Sequence, residues 1–276
     1  MEKFLRATAW IAETPRVYGA FHLWTAAFGI LAAAVSAAAV SAKLRRRCCL
    51  GGQNMYMHGL IRKIDLCAGI VLIVSEIYKQ LFYFYVVNGG KYDWHLFPFQ
   101  LCSLPMYLCL ILPWIRSEKL WAILNTFMVD FNLMGALMVF VDPSGIFSSY
   151  VTLTIHGILW HLIIIFIGLV SGLTHQADTK HLKGFTKGLP VFAAACCGAL
   201  LINIAAHPYG GAAMFYIDPY TPSVQLVFKD IAAVFGIAAG NIVYIFAMLL
   251  GGFVCHVCLA RYGFCRCPES AGRECL

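Results

Sequence analysis

Charge is what this chain has least of. Of its 276 residues only 12% are charged, whereas 61% are hydrophobic and the mean hydropathy is +0.77. An ordinary soluble domain carries about twice that charge fraction, so a water-exposed globular fold is excluded and an integral membrane protein is expected. Long polar connections are missing too, the longest being roughly 20 residues, which leaves no room for a separate soluble domain. The short alternating segments of a transmembrane barrel do not occur either. Helices are then the remaining way to satisfy a backbone in lipid. Twelve cysteines are present, but none falls in a loop expected outside the membrane, which argues against a disulfide framework.

What the chain has instead is apolar runs. Seven are long enough to span a bilayer, which takes roughly 17 to 25 residues: 20–42, 66–87, 96–115, 120–141, 150–173, 188–206 and 229–254. The expected fold is an all-α bundle of about seven transmembrane helices, followed by a short Cys-rich tail, 256–276. Loops on one side and the tail hold fourteen of the Lys and Arg residues, and the opposite side holds five. That bias places the N-terminus outside and the C-terminus in the cytoplasm. The first run is too long for the apolar core of a signal peptide, and cleavage after it would strand Arg45-Arg46-Arg47 outside. The net charge of +7 thus reads as a topology signal, not as a nucleic-acid surface.

Ionisable and amide side chains interrupt these runs, where they normally pair or line a cavity. Glu76 and Lys79 lie three apart on one helix face, Asp130 and Asn132 fall in the fourth run, His156 and His161 in the fifth, and Asn203 and Asn241 in the last two. A buried ion pair that only fixes helix packing is the plain alternative for Glu76 and Lys79. The third run is the least regular, with Pro98, Pro105 and Pro113 each lacking a backbone donor and Gln100, Cys102 and Ser103 among them. Its freed carbonyls need partners, for which Gln100 and Ser103 are candidates. If the third and fifth runs both descend from outside, Cys102 and His156 each lie about 9 Å below the outer boundary. A thiol needs a base to react, and His156 at the same depth is a candidate; an oxyanion would draw on Gln100, Asn132 or freed backbone amides. In the outer connection 207–228, Pro208, Gly210, Gly211, Asp218, Pro219 and Pro222 suggest an ordered turn that acts as a lid. Cys255-His256-Val257-Cys258 and Cys265-Arg266-Cys267 invite a zinc reading, but the pairs are too close for an ordinary ribbon, and no metal is expected.

Leu96-Phe97-Pro98-Phe99-Gln100-Leu101-Cys102-Ser103 resembles the Leu-Pro-Leu-His-Leu-Cys-Ser signature of the YwaF-like integral membrane proteins. Thr154-Ile155-His156-Gly157 resembles that family's fifth-helix histidine motif, and Gly240-Asn241-Ile242-Val243-Tyr244 its last-helix Asn-Tyr motif, so the similarity spans roughly 60–255. The family is similar in turn to transmembrane protein 164, a eukaryotic acyltransferase that moves an acyl chain through a cysteine with a histidine partner. The resemblance implies Cys102 as acyl-accepting nucleophile and His156 as base, with Gln100, Glu76, Lys79, Asp130, Asn132 and Asn241 around them. Phospholipid or lysophospholipid would be the substrate, with no cofactor, in a multi-pass integral membrane protein of the plasma membrane if the host is bacterial. Two departures stand out: Gln100 replaces the signature histidine, and Tyr244 is displaced from Asn241 by two residues. A small-solute or ion transporter and a seven-helix sensor use the same polar residues in the competing readings; apolar inner halves of the helices weigh against a transport path.

Overall fold

The computed structural model describes residues 1–49, 54–174, 176–179 and 182–262. Among them there is no strand, only an isolated bridge between Ile11 and Tyr150, and the expected all-helical fold is what the chain adopts. Five helices are long and apolar enough to cross a membrane. They are α2 (Ala20–Cys49), a rod made of α5 (Glu118–Phe127), a π-helical turn (Met128–Asn132) and α6 (Leu133–Val139), then α7 (Val151–Leu173), α8 (Leu182–Ala206) and α10 (Ile237–Tyr262). Their composition is that of an integral membrane protein. Before them lies the short α1 (Glu2–Ala7), and α3 (Asn54–Phe82) continues into a second π-helical turn, Tyr83–Val87.

The hub is α7, which packs against α2, α3, α5 and α6. Small residues permit these approaches. A Cβ on Gly29 of α2 would lie 3.1 Å from Leu162, and one on Gly168 of α7 would lie 3.1 Å from Leu133. At one end of the bundle the N-terminal segment is pinned beside the start of α7 by Ala12 N–H to Ser149 O and Val151 N–H to Trp10 O. Trp94 and Tyr209 meet at the same end, with ring centroids 6.1 Å apart. The connections around residues 1–19, 88–103, 140–150 and 207–227 therefore gather at one end of the bundle.

Two expected spans are broken. The run 96–115 is not one helix: after a 3-10 turn (Trp94–Leu96) the chain is irregular through Ser103, and only α4 (Leu104–Ile111) with its 3-10 extension Leu112–Trp114 is helical. Proline sets both limits. Pro105 stands in the first turn of α4, where its missing N–H is not needed, and Pro113 stands where the α-helix ends. Cys102 thus lies ahead of a helix rather than six residues down one, and the equal-depth estimate for Cys102 and His156 loses its footing. The run 229–254 is split at Gly236, whose φ of 90° and ψ of 160° only glycine adopts readily. The piece before it, α9 (Phe228–Phe235), folds back so that a Cβ on Gly240 would lie 2.8 Å from Ala232 Cβ. At the other terminus α10 continues to Tyr262. Cys255 to Cys258 are therefore helical rather than tail, while Cys265, Cys267 and Cys275 lie outside the described residues.

Candidate functional site

Backbone that leaves helix geometry inside a membrane protein must find donors for its carbonyls, and the stretch before α4 does so almost completely. Gln80 Nε2 donates to Leu96 O and Tyr107 Oη to Pro98 O. Asn132 Nδ2 donates to Leu101 O at 2.6 Å, and Trp160 Nε1 to Cys102 O at 2.9 Å. Local amides complete the set, Phe99 N–H to Phe97 O and Ser103 N–H to Gln100 O. The donors come from α3, α4, the π-helical turn and α7, so four elements converge on one irregular loop and hold Cys102 in it. The partly buried thiol stands just before the N-terminus of α4, with Ser103 as the N-cap and its hydroxyl within reach of the sulfur.

Glu76 and Lys79 form the expected ion pair, Nζ to Oε1 at 2.8 Å, and Gln80 Nε2 donates to the same oxygen at 2.7 Å. Glu76 Oε2 is buried without a partner. The Lys79 charge lies within electrostatic range of Cys102, His156 and His161 alike. His156 is half-buried, its ring 5.4 Å from that of Trp160, the residue whose indole holds the Cys102 carbonyl. His161 turns away, donating from Nδ1 to Gly157 O at 2.7 Å, with Nε2 buried and unpartnered. Cys102, His156, Glu76, Lys79 and Asn132 are thereby brought around one loop, with Trp160 as the bridge.

The remaining expected site residues do other work. Gln100 was a candidate oxyanion donor and a candidate partner for freed carbonyls of its own segment. Instead its amide bridges to the connection after α8, Nε2 donating to Ala213 O at 3.1 Å and Oε1 accepting from Phe215 N–H at 2.8 Å. Asn132 likewise donates to Leu101 O, though its Oδ1 is buried and free of partners. Asp130, two residues earlier, faces the opposite way: His256 Nδ1 donates to its carboxylate at 2.9 and 3.0 Å, and both residues are fully buried. Both lie in the π-helical turn, and two residues apart on a helix they project to nearly opposite sides and reach different partners. Asn241 Nδ2 donates to Asp218 O at 2.9 Å rather than reaching Cys102. Tyr244, one turn on, is within electrostatic range of Cys102, and so is Tyr216.

The connection after α8 is folded inward. Met214 and Phe215 are buried, and Asn203 takes both polar atoms of Met214, donating to its carbonyl at 3.0 Å and accepting its N–H at 2.6 Å. Ala213, Phe215 and Tyr216 are left-handed at φ 49°, 54° and 54°, each at a cost of about 1–3 kcal/mol for a non-glycine residue. Between this connection and the Cys102 loop lies a cavity of about 350 Å³, lined in part by His95, Gln100, Tyr216, Asp218 and Thr221. A second cavity, about 340 Å³, lies beside it at Lys91, Tyr92, Trp94 and Tyr209.

Comparison with protein-family models, curated proteins and solved structures yields no match. The site therefore rests on its own geometry. Sequence reasoning missed four parts of it. Trp160 is one turn from His156 and was readable as its helix neighbour. Gln80 is likewise one turn from Glu76. Tyr107 lies nine residues from the Pro98 carbonyl it holds, and His256, noted only for its neighbouring cysteines, has its partner 126 positions away. Among the described residues no group of three His, Cys, Asp or Glu is arranged to hold a metal, and His256 is taken up by Asp130.

Proposed function

We propose that the chain is a membrane acyltransferase that moves a fatty acyl chain between phospholipid and lysophospholipid through a thioester on Cys102. The observation that supports this reading is the Trp160 link: one indole donates to the Cys102 carbonyl and lies beside the His156 ring, tilted at 46° to it. Cys102 and His156 thus share one rigid side chain as a neighbour. In the reaction Cys102 Sγ attacks the ester carbonyl of a donor lipid while His156 takes the thiol proton. The tetrahedral oxyanion collapses, the lysolipid alkoxide leaves with the proton from His156, and a thioester remains. An acceptor hydroxyl then attacks the thioester, giving its proton to His156, and the released sulfur is reprotonated. Lys79 and the amides at the start of α4 supply positive potential where negative charge develops. The donor brings its own ester, so no cofactor is required.

The topology that suits this chemistry has seven crossings, α3 and the irregular run through α4 joining the five long helices, with the N-terminus outside. The connections gathered around Cys102 then face the outer leaflet. Mass spectrometry of purified protein incubated with phospholipid tests the proposal: the Cys102 peptide gains an acyl mass that hydroxylamine removes and that Cys102→Ser lacks. Full transfer activity in Cys102→Ser would sink it.

A transport path is the second reading, and one finding favours it. The inner halves of the helices are less apolar than the sequence suggested, since Asn125, Asp130, Ser171 and His256 are all buried there, with Ser171 Oγ donating to Asn125 Oδ1 at 2.6 Å. Solute flux into vesicles that is lost on Asp130→Asn and kept on Cys102→Ser would establish that alternative.

A further inference from the structure

Four of the five non-glycine residues with left-handed φ among the described residues fall in one segment: Ala213, Phe215, Tyr216 and Val227. The same segment starts just after Gly210 and Gly211, which also have positive φ, and ends at Gly236. Strain of this kind persists only where the surroundings hold it. Here the holding is done by three side-chain amides from three other places in the chain. Gln100 grips Ala213 and Phe215, Asn203 grips Met214, and Asn241 grips Asp218.

What the segment covers is the Cys102 loop. Phe215 stacks on Phe99 with centroids 6.1 Å apart and planes at 20°. Gln100 and Tyr216 form opposite parts of the same cavity wall. On the other flank Tyr244 touches both Tyr216 and Phe228 of α9, at 6.2 and 4.8 Å between centroids. Removing Phe215 and Tyr216 from these places would enlarge the cavity into an opening beside Cys102 and Tyr244, and α9, exposing Val234 and Phe235, would move with them about Gly236.

We propose that residues 212–235 are a spring-loaded lid on the Cys102 loop, latched shut by Gln100, Asn203 and Asn241 and hinged at Gly211 and Gly236. Closing holds four non-glycine residues at positive φ, and opening releases them; the latches set the balance. Since Gln100 lies two residues before Cys102, opening also frees one end of the loop that positions the thiol. The lid serves the acyl-transfer reading by admitting a lipid to Cys102, and it rests on Cys102 being the reactive centre.

Alkylation of the full-length protein in lipid nanodiscs by N-ethylmaleimide, followed cysteine by cysteine with mass spectrometry, tests the lid without any turnover. Two variants push in opposite directions. Asn203→Ala removes a latch and should speed Cys102 alkylation about tenfold or more. Ala213→Gly relieves left-handed strain in the closed form and should slow it about fivefold. Cys109, fully buried in α4, should keep its wild-type rate in both. Unchanged Cys102 rates in either variant overturn the lid, as does Cys109 accelerating in step with Cys102. If Asn203→Ala fails to fold, the direction of the Ala213→Gly effect decides alone. Lid behaviour with no acyl mass on Cys102 would remove the acyltransferase reading and leave the lid standing.

Discussion

Breaking the Glu76–Lys79 pair from its two sides should have unequal costs. The Glu76 side chain is only 4% exposed and one of its oxygens already lacks a partner, while Lys79 is 21% exposed. Lys79→Met leaves a carboxylate in the bundle with Gln80 Nε2 as its one donor. Removing one member of a buried pair costs about 3–5 kcal/mol, and nothing here lowers that figure. Glu76→Gln leaves instead the more exposed member of the pair, whose long stem can stay packed while the ammonium shifts. Its cost should be nearer the about 1–3 kcal/mol of a charge-assisted hydrogen bond. The double variant, Glu76→Gln with Lys79→Met, should lie closer to wild type than Lys79→Met alone. Reversible unfolding of the protein in detergent, titrated with SDS and followed by tryptophan fluorescence, measures all three. Equal losses in the two single variants, or a larger loss in Glu76→Gln, would refute the argument. Activity of the double variant then separates the two roles of the pair. If it only fixes packing, transfer survives; if Lys79 supplies potential at Cys102, transfer falls while stability returns.

Two further expectations concern the hub helix. Gly157→Ala would place a Cβ 2.7 Å from Ile146 Cβ, an overpacking that should cost about 1–3 kcal/mol and lower the thermal midpoint; an unchanged midpoint would show that the Ile146 turn yields freely. Trp160→Phe keeps an aromatic beside His156 but deletes the donor to Cys102 O, so stability should fall by about 0.5–1.5 kcal/mol while acyl loading of Cys102 drops at least tenfold, and parallel small losses in both would reduce Trp160 to packing.

The sequence made some of this architecture legible and hid the rest for a specific reason. Apolar runs revealed a helical membrane bundle. Pro98, Pro105 and Pro113 marked the third run as broken, and the depth of Cys102 was misjudged only by treating it as a helix regardless. Which donors repair that break could not be read. Asn132 reaches Leu101 across 31 positions and Trp160 reaches Cys102 across 58, and such pairings follow from helix packing rather than local pattern. The same holds for Asp130, whose partner His256 is 126 positions away. Asp130 and Asn132, two apart on a helix, project to nearly opposite sides, so their separate partners agree with their spacing even though neither partner could be named from it.

Gln100 is the point where the Cys102 loop and the segment after α8 are joined, and its chemistry explains why an amide serves there. The position asks for one donor, to Ala213 O, and one acceptor, for Phe215 N–H, at the same time. An amide offers both at every pH. A neutral imidazole also offers one donor and one acceptor, but an imidazolium offers two donors and would confront the Phe215 N–H. Gln100→His should therefore hold the segment closed while the imidazole is neutral and release it once the ring is protonated. The sign is fixed: protonation removes the acceptor, so opening accompanies acidification. The ratio of Cys102 alkylation rates, variant over wild type at each pH, cancels the common loss of thiolate. That ratio should climb as pH falls through the imidazole range, with Cys109 unaffected. A ratio that stays flat from pH 8 to about 5 would mean that the Gln100 clamp does not control access to the cysteine.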